Sequence, residues 1–305
     1  MFRFILKRLL EAVPVLLVVA TLAFFLARFA PGGPFDEDRA LPPAVKAQIN
    51  AHYGLDKPLA EQYVRFLKNL SCGELGPSYK YHGWNVDELI ADRIPTSLAL
   101  GAGALVFALL VGIPLGAVAS VKPNSWLDRI PTGIATLGIC LPTFVVGPLL
   151  ILIFSSYLGW FNASGWNSPS DFVLPAVTLG LAYAAPVARL MRGAMLEVRT
   201  QDYMKTAKAK GLSPARIYFV HGLRNALLPV VTYIGPTAAG LISGSFVVES
   251  MFNVPGLGQF FVKAAFNRDF TMIVGTVLFY AAVLVALNLI AEIVLVKLNP
   301  RLKYE

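Results

Sequence analysis

Between Glu197 and Gly211 charged side chains recur at spacings of about three residues: Arg199, Asp202, Lys205 and Lys208. That spacing places them on one side of a helix, with Tyr203, Met204, Ala207 and Gly211 on another. A cationic helical face of this kind pairs with acidic side chains of a partner or with lipid phosphates. Gly211 can end the helix with positive φ. Ser213 is a natural N-cap and Pro214 a natural first residue of a second helix. Helix, glycine break and helix give a compact knob, which can carry force from a soluble partner. The bland alternative is a basic loop lying on headgroups. Arg216 and Arg224 extend the basic character, Ala207 and Leu212 offer small apolar contacts, and His221 can orient the knob.

A charge inside an apolar block is costly, so it marks a hydrogen-bonded anchor or a functional group. Glu249 precedes a Pro-Gly-Leu-Gly turn at Pro255 to Gly258. It is read first as the anchor of that turn, through backbone N–H groups, and alternatively as a group facing a substrate route. Tyr233 and Asn288 are the other polar side chains in apolar blocks that could meet a substrate, although Asn225 and Asn288 can equally bond between helices. Glu292 is expected to be neutralised by Lys297, and Glu11 and Arg28 to snorkel from block ends.

No nucleophile, base and orienting partner stand in a recognisable pattern, and there is no G-x-x-x-x-G-K-[ST] phosphate loop. The three histidines are scattered, and Cys72 and Cys140 lie in segments of opposite polarity. The chain is therefore not expected to be an enzyme or to bind a metal or cofactor, and no disulfide is expected.

The elements that position these residues are apolar. Of 305 residues 56% are hydrophobic and 14% charged, against roughly a quarter charged in soluble domains. Six blocks reach the ~20 residues that cross a bilayer: about Leu9 to Ala27, Thr96 to Val121, Ile130 to Leu158, Phe172 to Met191, Asn225 to Val248 and Phe270 to Val296. The first is read as a retained span rather than a cleaved signal, because Arg28 sits where small cleavage-site residues belong. Six spans put both ends on one side. That side carries 16 of the 26 Lys and Arg residues, which makes it cytoplasmic. The net charge of +8 is thus topological, and no nucleic-acid partner is expected. The chain divides into 1–30 (tail and first span), 31–95 (outer segment) and 96–305 (core), with the knob inside about 192–228.

The outer segment is too long for a plain connection. Pro42-Pro43 can open a helix to about Tyr53, and Leu59 to Leu70 reads as another, with Tyr63, Phe66 and Leu67 on one face. It forms a cap, a docking surface, or both. Gly112 and Gly116, and Gly240 and Gly244, form two GxxxG pairs that allow close helix approach.

The stretch from Tyr203 to Gly211 (YMKTAKAKG) and from His221 to Pro229 (HGLRNALLP) resembles the cytoplasmic loop of ABC importer permeases of the peptide and nickel branch. Against the general signature of those loops, Lys205 and Thr206 replace Glu and Ala, His221 replaces Ile, and Arg224 replaces Pro. Ala207, Gly211 and Leu223 keep the pattern. The opening FILKRLLEAVPVL, ARFAPGGPF at Ala27 to Phe35, YGLDKP at Tyr53 to Pro58, GELGPS at Gly73 to Ser78, RIPTSLALG at Arg93 to Gly101, ESMFNVPGLGQ at Glu249 to Gln259 and the closing NPRLKY are also similar to this branch. GGPFDEDRALPP and GPSYKY look most like the first permease subunit of oligopeptide importers.

The resemblance implies an all-α integral membrane bundle of the type I importer class, with an extracytoplasmic cap between helices 1 and 2. It implies a second homologous permease, two ATPase subunits or domains that use ATP and Mg, an external peptide-binding protein, and a peptide substrate. The knob residues Tyr203, Lys205, Thr206, Ala207, Lys208, Gly211, Leu212, Arg216, His221 and Leu223 would meet the ATPases. Dipeptide or nickel-complex import is the alternative within the branch. A self-contained ion-coupled carrier would need ionisable groups deep in the spans, which hold almost none. A sensor or scaffold leaves the knob unexplained.

Overall fold

Each predicted apolar block is helical in the computed structural model, which describes residues 2–30, 32, 35, 42–243 and 245–298. Among these residues there is no strand, only an isolated bridge between Pro77 and Asn85. The acidic run Asp36–Asp38, Gly244, the side chain of Lys297 and the closing run from Asn299 lie outside the described residues and side chains.

α1 (Phe2–Phe29) has 28 residues, about 42 Å at 1.5 Å per residue, enough to cross the bilayer core. The outer segment holds α2 (Pro43–Tyr53) and α3 (Leu59–Ser71), as its pattern predicts. α4 (Val86–Val121) starts well before Thr96, because Asn85 and Glu88 form a reciprocal capping box that initiates it earlier. Its 36 residues exceed the membrane thickness, so the turns carrying Asp87, Glu88 and Asp92 stand clear of hydrocarbon.

The third block is not one helix. α5 (Trp126–Cys140) stops, α6 (Thr143–Leu150) begins, and α6 runs on as a π-helical stretch, Ile151–Tyr157. Pro142 sits in the break with ψ 146°. It has no N–H and disfavours helical backbone at Leu141. Among the described residues five helices are thus long and apolar enough to cross unaided, and the third apolar block is divided into two pieces.

α7 (Pro169–Val198) is capped by Ser168 and Asp171 and is longer than its apolar block. α8 (Asp202–Ala209) follows. α9 (Pro214–Arg216) then continues without a turn through a π stretch (Ile217–Gly222) into α10 (Leu223–Ser243). α11 (Phe246–Met251), α12 (Leu257–Phe266) and α13 (Phe270–Leu298) complete the chain.

α4 and α7 form the central pair. A Cβ on Gly112 would stand 2.6 Å from the carbonyl oxygen of Ala184, and one on Gly116 would collide with that of Ala188. The first GxxxG is therefore the seam of this pair. Leu100 and Ala104 of α4, Leu174 and Leu179 of α7, Leu241 and Phe252 fill the adjoining core. α13 packs between α1 and α10.

The outer segment is packed down as a cap. Phe24 of α1 stacks on Phe66 at 5.2 Å, and Thr21 Oγ1 lies 2.8 Å from the Tyr63 hydroxyl. Arg28 Nε donates to Gln62 Oε1 at 3.0 Å, so Arg28 ties α1 to α3 rather than simply reaching for water. At the other end of α1, Arg8 Nε stands 2.8 Å from Glu292 Oε2. Arg8 is thus a cation beside Glu292, because α1 and α13 pack side by side; the side chain of Lys297, the expected partner, lies outside those described.

Candidate functional site

The knob begins where α8 ends. Gly211 has φ +74°, and its N–H donates to the Lys208 carbonyl at 3.0 Å. No heavy atom lies within 4 Å of a Cβ built there. The glycine is required by backbone conformation, since an L side chain is strained at that φ, and not by any close neighbour in the described residues. Ser213 Oγ accepts from Arg216 N at 3.4 Å, and Pro214 takes the first helical position.

The inner face of the knob is narrower than its sequence pattern suggests. Met204 and Ala207 are buried, whereas Tyr203 and Gly211 point outward. Ala207 therefore packs mainly within its own chain. Met204 reaches toward Gly222, where a Cβ would lie 3.3 Å from the methionine methyl, with Met195 beside it. The second half of the knob is not a separate helix. Its helical backbone continues into α10, so a push on the knob is a push on a spanning helix.

Lys205 pairs with Asp202 at 2.8 Å, both largely exposed, and Thr206 Oγ1 donates to the Asp202 carbonyl at 3.0 Å. Lys208 and Arg216 are exposed, Leu212 and His221 half-buried, and Leu223 packs on the cluster around Met191 and Val230.

Two further links were not legible in the sequence. The Tyr218 hydroxyl bonds Ser120 Oγ and lies 3.2 Å from the Ala117 carbonyl oxygen. Arg199 Nη1 donates to the Val121 carbonyl at 3.4 Å. Both fasten the knob region to the last turn of α4. Neither Tyr218 nor Ser120 stands in a motif, and their separation of 98 residues removes any local signal. Nearby, Arg192 donates twice to Asp128, at 2.6 Å on each oxygen, joining α5 to α7. These bonds hold the Asp128 carboxyl well below the usual carboxylate range.

The predicted pathway residues do not converge. Glu249 is fully buried and takes Ser97 Oγ at 2.8 Å, Ser245 Oγ at 2.6 Å and Gly258 N at 2.7 Å. The anchor reading describes its geometry. Tyr233 is half-buried beside the Met191 and Val230 cluster. Asn288 packs where α13 meets Gly235 of α10.

Residues 112–304 match the family described as binding-protein-dependent transport system inner membrane component, and residues 1–101 match its N-terminal companion. The oligopeptide transport system permease protein OppB of Haemophilus influenzae is 45% identical over 100% of both chains. Its Salmonella typhimurium counterpart is 42% identical over the same extent. The dipeptide transport system permease protein DppB of Bacillus subtilis is 41% identical over 99% of this chain and 98% of its own. Among solved structures, the inward-facing MetNI methionine ABC transporter aligns with TM-score 0.58 and 21% identity, covering 69% of this chain and 96% of that one, which shows a shared fold. A helical chain with a helix–glycine–helix projection continuous with a spanning helix, matched from end to end in this way, belongs to the family of binding-protein-dependent transport system inner membrane components.

Proposed function

We propose that this chain is a permease subunit of an ATP-driven oligopeptide importer. It forms half of a translocation route with a second, homologous permease. Two ATPase subunits grip the knobs and bind the ATP and Mg, and an external binding protein delivers the peptide to the capped face. Both termini and the knob lie in the cytoplasm, as the basic residues require. The observation that carries this reading is the run of helix from Pro214 into α10, together with the bonds from Tyr218 to the end of α4. Closure of the ATPases would displace two spanning helices at once. ATP and loaded binding protein act as effectors by binding inward-open and outward-open states with different affinity.

Oligopeptides are favoured over dipeptides by full-length identity to the oligopeptide permeases, 45% against 41% for a dipeptide permease. The test is uptake of labelled peptides of graded length in proteoliposomes holding the assembled complex. Gly211→Asp is expected to abolish ATP-driven uptake while membrane insertion and permease pairing persist. Uptake at the normal rate by that variant would overturn the coupling role. Uptake by this chain alone would replace the reading with a self-contained carrier.

A further inference from the structure

α5 has three faces. Asp128, Ala135 and Gly138 are buried against α4 and α7. Trp126, Ile130, Ile134 and Leu141 form a second face, apolar and exposed. Arg129, Gly133, Thr136 and Cys140 form a third, exposed but polar or small, roughly a quarter-turn round the helix from the second. Hydrocarbon accounts for the apolar face. It does not account for the third, which borders a broad, open depression lined by Asn124, Asp128, Arg129, Thr132, Gly133, Thr136 and Arg192. A glycine weakens a helix interior, yet nothing lies within 4 Å of a Cβ on Gly133, so no neighbour in this chain requires it.

The same face ends at the break in the third crossing. Leu141 and Pro142 are exposed there, and Cys140 lies about 18 Å along the helix from Asp128. Non-helical backbone at membrane depth persists when it is enclosed by protein or lines a water-filled cavity. The rest of this chain does not enclose it.

We infer that the Arg129–Gly133–Thr136–Cys140 face and the break from Cys140 to Thr143 line a hydrated route for the peptide. A helix end leaves backbone carbonyls without intrahelical donors. Those at the end of α5 accept from the backbone N–H groups and terminal ammonium of the passing peptide. Such contacts read what all peptides share and ignore side chains. This deepens the importer reading and rests on it.

Cys140 is the probe. The chain carrying Cys72→Ser, at an exposed outer-segment position, is assembled with its partner subunits in proteoliposomes. A positively charged methanethiosulfonate is added on the knob side without nucleotide. It is expected to modify Cys140, and saturating peptide to slow that reaction severalfold. An Ile134→Cys control in a Cys72→Ser, Cys140→Ser background faces lipid and is expected to react about a hundredfold more slowly, since the charged reagent must enter hydrocarbon. Modification of Cys140 only by an apolar maleimide, at a rate peptide does not change, would place it in lipid and overturn the inference. Protection from both reagents would place it under a neighbouring subunit and overturn it equally. ATP-driven uptake is measured in the same vesicles. Failure to take up any peptide sinks the importer reading whatever the thiol does, whereas normal uptake with an unreactive Cys140 sinks only the route.

Discussion

Ser97 and Glu249 are 152 residues apart in the chain, yet the Ser97 hydroxyl donates to Glu249 Oε1 at 2.8 Å. The same hydroxyl oxygen accepts from Leu257 N at 2.8 Å, while Glu249 Oε2 takes Gly258 N at 2.7 Å. One buried carboxylate thus fastens α4, α11 and the start of α12 around the Pro255–Gly258 turn.

Glu249→Ala is expected to leave the Ser97 hydroxyl and the Gly258 N–H without their acceptor, whereas Ser245 keeps the Ile242 carbonyl. Buried donors so orphaned cost about 1–3 kcal/mol each, and the complex should melt lower in a thermal-shift assay. Glu249→Gln keeps one carbonyl acceptor and should fall between. Equal melting of Glu249→Ala and wild type would mean the turn does not depend on this carboxylate.

Tyr218→Phe removes the hydroxyl that joins the knob to Ser120 and the Ala117 carbonyl. The expected loss is about 0.5–1.5 kcal/mol per bond, too little to unfold the bundle but located between the knob and α4. ATP hydrolysis by the assembled complex should continue while peptide moved per ATP falls. Measuring both in the same proteoliposomes decides it, and an unchanged ratio would assign Tyr218 to local packing.

The pairing of α4 with α7 gives a harsher test. Gly116→Leu would drive a side chain into the Ala188 carbonyl and the Met191 side chain. A backbone neighbour cannot rotate away, so the cost should exceed the 1–3 kcal/mol usual for overpacking. Loss of folded chain from membranes is expected, whereas Gly133→Leu, at a position open on this chain, should insert normally. Equal expression of the two variants would contradict the seam.

The contrast between those glycines shows what sequence could and could not reveal. The Gly112–Gly116 spacing announced a close helix contact, and the structure places it between α4 and α7. The Gly240–Gly244 spacing carried the same signal, but small-residue spacing says nothing about which neighbour comes near: Gly240 is approached by the Tyr183 hydroxyl of α7, and Gly244 lies outside the described residues. The knob was legible because Gly211, Ser213 and Pro214 act through local backbone chemistry. Pro142 in the sequence permits a kink, but the hydropathy of Ile130 to Leu158 stays high on both sides of it, so a full stop between two helices is not legible there. The Tyr218–Ser120 and Arg8–Glu292 pairs depend on contacts across the fold, to which local patterns are blind.

Asp128 and Arg192 allow a prediction with a defined pH sign. The carboxyl has a reference value of 3.8 and is lowered in the fold, first by its hydrogen bonds from Arg192. A depressed carboxylate contributes stability that is present above the unfolded value and is lost as pH falls through the folded one. The pair should therefore act undiminished from about pH 8 down to about pH 5, above the range where a free Asp titrates. In thermal-shift measurements the gap between wild type and Asp128→Asn should be constant across that window. Arg192→Ala leaves Asp128 with less than its full set of donors, so the destabilisations of Arg192→Ala and Asp128→Asn should sum to more than that of the double variant. A gap that already changes between about pH 7 and pH 5 would show Asp128 titrating above the free-Asp range rather than below it, and the bidentate bond joining α5 to α7 would then not be the contact that holds this end of the bundle.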